Sequence, residues 1–253
     1  MHQQYLFIMK QRKENVLSTS IDNNEMNQKL LELYDFHWDG YINGIRNNPE
    51  LSDYKIANPY LVCASEQYFK ARVKVMYIGQ ETNCWGGEFE DEIAGVEPLM
   101  KLYKYFVDIE KNYNSPFWNM YRKLEKETSE DVGFIANNIV KIGRKEGVGS
   151  DKPVVEKIYV HFNIIKKEIE ILKPTIIIAM TGAYDNFIKR FLDGEIVNDI
   201  SSEGFSKINF GKVNYTADMP LTYRFAHPGP IQRRGMYHQA IACIKNIISL
   251  EKS

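Results

Sequence analysis

Two short segments of this 253-residue chain set residues capable of chemistry beside residues that fix the backbone. In Gly79-Gln80-Glu81-Thr82-Asn83, running on to Trp85 and Gly87, an amide, a carboxylate and an aromatic lie between glycines. Glycine lets a backbone approach a ligand closely, and a carboxylate such as Glu81 can orient a water molecule as a base. In His227-Pro228-Gly229-Pro230-Ile231 two prolines hold the chain stiffly around an imidazole. A rigidly presented imidazole suits stabilisation of developing negative charge. Arg233 and Arg234 follow and can hold phosphates. A third segment places Asn137 and Asn138 inside the apolar run Gly133–Ile142, where two amides are a poor choice for a buried strand. One of them facing a cleft would read a hydrogen-bonding edge. Each segment also has a plain structural explanation. The first can be a strand-to-helix connection whose polar groups cap a helix, and the second a proline turn with solvated arginines. The asparagines can sit in a turn before a strand that starts only at Ile139.

The elements that must position these residues follow from apolar spacing. Residues 1–24 end in the polar run Ser18–Asn24 and read as a loosely held segment. Met26, Leu30, Leu31, Tyr34, Trp38 and Tyr41 recur on one helical face. Val73–Ile78 is a short strand, apolar but for Lys74, typical of a parallel sheet covered on both faces. Leu99–Ile109 and Phe117–Leu124 have helical spacing, the second opened by Ser115-Pro116. Val155, Ile158, Phe162, Ile165, Ile169 and Leu172 predict one long amphipathic helix over 154–173, ended by Pro174. Thr175–Met180 is another apolar strand, followed by a helix over Ala183–Leu192. Residues 206–217 alternate as a hairpin or edge strand. Tyr237, Ile241, Ile244 and Ile248 mark a last helix. This order predicts parallel crossovers in one three-layered domain. Ligands of such sheets bind beyond the carboxyl ends of the strands, where strand order reverses.

Bulk properties bound the function. With 44% hydrophobic and 26% charged residues, the chain can bury a full core. A formal net charge of −1 removes a strongly basic domain as an argument for nucleic acid, although a local basic patch can still contact phosphates. The three cysteines, Cys63, Cys84 and Cys243, have neither disulfide-framework nor metal-ligand spacing, so no metal is expected. No stretch is long and apolar enough for a membrane helix, and Tyr5–Met9 is too short for a signal-peptide core. A reducing cytoplasm is the expected compartment. His161, Lys166-Lys167 and the dispersed Tyr and Phe residues are read as surface or core.

In order and spacing, residues 60–250 resemble the uracil-DNA glycosylase superfamily. Gly79-Gln80 followed by an acid is similar to that family's water-activating motif, best known as Gly-Gln-Asp-Pro-Tyr. His227-Pro228-Gly229-Pro230-Ile231 is similar to its His-Pro-Ser-Pro-Leu motif. The resemblance implies an α/β fold over 25–253, a three-layer α/β/α sandwich around a short, mainly parallel four-stranded sheet. It implies hydrolysis of the N-glycosidic bond of a damaged pyrimidine such as uracil, with DNA as partner and no cofactor; a monomer is favoured, but the sequence does not determine the oligomeric state. Glu81 would orient water, His227 would hydrogen-bond the departing base, and Asn138, or failing it Asn137, would read the pyrimidine. Gly79, Gln80, Asn83 and Trp85 would line the substrate site. Gly229, Pro230, Ile231, Arg233 and Arg234 would face DNA, with Ile231 as the apolar wedge that fills the gap left by an extruded nucleotide.

The chain departs from the pattern. Glu81 is longer than aspartate, displacing its carboxylate by about 1.5 Å. Thr82 and Asn83 replace Pro-Tyr, so uracil selectivity is not inherited. Cys84 stands for a histidine and Gly229 for a serine. The base-stacking aromatic is unassigned among Trp85, Phe89 and Trp118. A protein that binds a base without cutting, and a hydrolase of another N-glycosidic or nucleotide substrate, are the alternatives.

Overall fold

The structure, a computed structural model, describes residues 2–82, 84–86, 95–111, 113–145, 152–197, 210–215 and 218–251. Its strands are β1 Val73–Glu81, β2 Val132–Val140, β3 Ile176–Ala179, β4 Gly194–Val197, β5 Phe210–Tyr215 and β6 Leu221–Phe225. Its helices are α1 His2–Ser18, α2 Glu25–Tyr41, α3 Glu66–Lys70, α4 Val96–Lys104, α5 Pro116–Glu127, α6 Lys152–His161, α7 Ile165–Leu172, α8 Asp185–Leu192, α9 Pro228–Arg233 and α10 Tyr237–Leu250. The chain divides into two compact units. One comprises residues 1–65, 81–111 and 140–164; the other comprises 66–80, 112–139 and 165–253.

The second unit holds the sheet. It is six-stranded and mixed, in the order β2-β1-β3-β6-β5-β4, with helices on both sides. The α/β class is therefore as expected, but the sheet has six strands where four were expected. β1, β3 and β6 run parallel, with Ile78 opposite Ala179 and Ala179 opposite Arg224. β5 is antiparallel to β6, and β4 to β5. β5 falls within the alternating residues 206–217, though it is not at the edge of the sheet, and β4 escapes a sequence reading because it is four residues long and opens on a glycine. The parallel strands are apolar for the reason their sequences suggest: Val75 to Ile78 and Ile176 to Ile178 are each fully buried.

Helices form where the spacing predicts, with informative exceptions. Asn24 caps α2 through its side chain, and Ser115 caps α5 with Pro116 at the first helical position. The expected helix over 154–173 is two helices, α6 and α7, broken at 162–164. The apolar stripe runs on without a phase change, so spacing alone sees one helix. The halves pack in different units, and Asn163 at the break is a residue that favours non-helical backbone. Residues 2–18, expected as part of a loosely held segment, form α1, with Val16 buried and Arg12 paired to Glu110 at 3.0 Å.

In the first unit, Gly143 packs directly against the Thr82 backbone. A Cβ there would overlap the Thr82 carbonyl oxygen, and backbone cannot move aside as a flexible side chain does. Gly143→Ala should therefore cost about 3 kcal/mol of stability, checked by urea unfolding. An unchanged midpoint would contradict this packing. No helix among the described residues is long and apolar enough to cross a membrane.

Candidate functional site

Strand order locates the crevice. From β1 the chain goes to β2 on one side, then returns to β3 on the other side of β1. The connections leaving the carboxyl ends of β1 and β3 thus diverge, and a crevice opens between them. The residues at that point are Gly79 and Gln80 on β1 and Thr181 and Gly182 after β3. The register puts the end of β6, and so Ala226 and His227, beside Thr181. A cleft of about 480 Å³ opens here, lined by Gln80, Gly182, Asp185, Arg224, His227 and Arg234 among others.

His227 is the N-cap of α9. The expected loop at 227–231 is thus a cap followed by a short helix, because Pro228 has no N–H to leave unsatisfied and its fixed φ suits the first helical position. The Gly229 N–H donates to His227 Nδ1 at 3.3 Å. With Nδ1 accepting, the neutral ring carries its proton on Nε2. Burial, and then the Arg233 charge, hold the His227 pKa below the usual imidazole value. The ring is consequently a neutral Nε2–H donor, suited to an oxygen on which negative charge develops.

Phe117, which sequence reasoning did not single out, stands across from His227. Their ring centroids are 6.4 Å apart and the planes differ by 14°. The planes are near-parallel, so a flat ligand ring lying on Phe117 would also lie near-parallel to the imidazole. Phe117 is half-buried and rests on the Tyr77 ring at 4.8 Å. The signal for it was the Ser115-Pro116 helix start, which fixes where the next side chain points.

The two asparagines divide. Both lie within β2, so the alternative of a strand starting at Ile139 is corrected. Asn137 is 1% exposed and internally satisfied: its Nδ2 donates to Glu168 Oε2 at 3.0 Å, and its Oδ1 accepts from Asn138 N–H at 2.8 Å. Asn138 instead reaches Gly79, where an added Cβ would lie 2.5 Å from its Oδ1 and 2.7 Å from Phe117 Cε2. Gly79, Asn138, Phe117 and His227 thus form one continuous group within the second unit.

Other expected residues fall elsewhere. Trp85 is core of the first unit, packed on Tyr60 at 4.7 Å and Phe106 at 5.5 Å, so it is not the stacking aromatic. Trp118 is core, edge-on to Tyr121. Glu81 is the half-buried last residue of β1 and belongs to the first unit. Asn83 and Phe89 lie outside the described residues. Ile231 is 1% exposed, so it is core rather than a wedge at a rim. Gln232, Arg233 and Arg234 beside it are exposed, and Pro230 and Arg234 line the cleft. Gly229 is buried beneath the imidazole.

Arg224 and Asp185 were not anticipated. Arg224 is 8% exposed, donates from Nε to Asp185 Oδ1 at 2.8 Å, and pairs through Nη2 with Asp185 Oδ2. A cation within Tyr223-Arg224-Phe225, three residues before His227, was the available signal. Among the described residues no group of three or more His, Cys, Asp or Glu is arranged to hold a metal ion.

The fold is α/β with a switch-point cleft lined by His227, and beside that imidazole the same unit gathers the Phe117 ring and the Asn138 carboxamide around Gly79. No model of a known protein family and no curated protein matches the chain.

Proposed function

We propose that the protein hydrolyses the N-glycosidic bond of a pyrimidine in DNA, as a divergent relative of the uracil-DNA glycosylases acting in the cytoplasm. The observation that carries this is the near-parallel pair of Phe117 and His227, the imidazole held as an Nε2–H donor by Gly229. A pyrimidine would stack on Phe117, meet the Asn138 amide along one edge and present a carbonyl oxygen to His227. The C1′–N1 bond breaks with its electron pair moving onto the base, where His227 stabilises the charge. Water then forms the new C1′–O bond and loses its proton to a carboxylate, the role that the resemblance gives to Glu81. In this proposal Glu81 rests on the resemblance alone. In this reading the run β2-β1-β3-β6 stands for the four-stranded sheet of the family, and the β4–β5 pair is an addition to it.

Burial of Ile231 bears on the substrate. Extruding a stacked base costs a few kcal/mol, and an already unpaired base avoids that cost. Release should therefore be at least tenfold faster from single-stranded than from duplex DNA, about 1.4 kcal/mol of that difference. The test is to incubate the protein with both kinds of oligonucleotide carrying uracil, hypoxanthine or mismatched thymine, and to quantify abasic sites. Release that persists in both Glu81→Gln and His227→Ala would overturn the mechanism. Salt-dependent binding without release would point to a base-binding protein that does not cut. Absence of any binding would leave a free nucleotide or other N-glycoside as substrate.

A further inference from the structure

The Gln80 side chain does something its backbone does not. Met180 N–H donates to Ile78 carbonyl at 2.8 Å, which is where the β1–β3 ladder ends. Two residues further on, Gln80 Nε2 donates to the Thr181 carbonyl at 2.8 Å. The carboxamide thus supplies one more cross-strand bond at the point where the two chains diverge.

What it holds is the turn beneath His227. Thr181 is fully buried, and Gly182 follows with φ of +49°, in the left-handed region that favours glycine. A Cβ on Gly182 would lie 3.0 Å from His227 N and 3.6 Å from Ala226 Cα, so the turn sits against the His227 backbone with no spare room. On its far side Arg224 Nη2 reaches the Gly182 carbonyl at 3.4 Å. The Gly229–His227 bond that sets the tautomer is long at 3.3 Å, and such a bond is lost on a small displacement of the ring.

We infer that Gln80 is a positioning residue for His227: its carboxamide pins the Thr181–Gly182 turn, and the turn fixes the backbone from which the imidazole is presented. The two sequence segments that carry the chemistry are thereby coupled through a third. The kinetic part of this inference rests on the proposed reaction, but the coupling itself is a property of the folded protein and is readable without substrate.

The experiment is nitrogen NMR of the His227 imidazole in the wild type, Gln80→Ala, Gln80→Glu and Gly182→Ala. Gln80→Glu is nearly isosteric but sets a carboxylate oxygen against the Thr181 carbonyl. Gly182→Ala disturbs the turn while leaving Gln80 intact. The expected result is the same change in all three variants: the Nδ1 and Nε2 signals move toward those of an averaging, solvent-exposed histidine, and the titration midpoint rises toward 6.5. A Gln80→Ala/Gly182→Ala double variant should change the signals no further than either single variant. If Gln80→Ala does not fold, Gln80→Glu and Gly182→Ala decide the matter in the same way. Where base release is measurable, kcat should fall about 10- to 100-fold with little change in KM. Wild-type imidazole signals in a folded Gln80 variant would overturn the coupling. Shifted signals in a protein without glycosylase activity would uphold the coupling and remove only the proposed reaction.

Discussion

His227→Ala should lower base release from the proposed substrate by about 100- to 1000-fold, the range for removing one preorganised donor to a developing oxyanion. The loss should appear in kcat more than in KM, because the imidazole's bond strengthens only as charge accumulates on the base. The pH profile gives a second reading. Burial and then Arg233 hold the His227 pKa below 6.5. Protonation would put a hydrogen on Nδ1, facing the Gly229 N–H that now donates to it. Activity should therefore be flat above pH 6.5 and fall as pH drops through the lowered value. The sign for stability is the same. Below about 6.5 the unfolded chain takes up a proton before the folded one does, so His227's contribution is complete above that pH and lost as pH falls further. In His227→Ala this part of the stability profile should flatten. A variant with wild-type kcat would remove His227 from the chemistry.

Gly79→Ala should separate the site from the fold. The added methyl would lie 2.5 Å from Asn138 Oδ1 and 2.7 Å from Phe117 Cε2, both side-chain atoms rather than backbone. Phe117 is half-buried, so it can swing outward, and unfolding stability should stay within about 1 kcal/mol of wild type. The same swing removes the proposed stacking surface and tilts the Asn138 amide proposed to read the base. Base release should then fall by about 100-fold, the order of loss that follows a displacement of about 1 Å in a site. Measuring the urea midpoint and the release rate on one preparation distinguishes the outcomes. A variant that is fully active would show that neither Phe117 nor Asn138 is used, and one that fails to fold would show that Gly79 serves packing instead.

Much of the architecture was legible because its signals are local. Val73–Ile78 and Thr175–Met180 read as buried parallel strands from short, mostly apolar runs, and α5 from Ser115-Pro116. The α6–α7 break was not legible, since the apolar stripe crosses it in phase. β4 was not legible, since four residues opening on glycine carry no period.

For the site, sequence alone determined the residue types: a histidine followed by two prolines, a glycine and amide at a strand end, and two asparagines in an apolar run. Tertiary structure decided their uses. It satisfied Asn137 with Glu168 and set Asn138 against Gly79, although the two amides are adjacent and chemically identical. It buried Ile231 and Trp85 in cores and brought Phe117 to His227 across 109 intervening positions of chain. A local run fixes which way a strand or helix forms. Whether a side chain finds a partner, a ligand or the core depends on groups distant in sequence, which only the parallel register of β1, β3 and β6 and the helices packed on that sheet bring within reach.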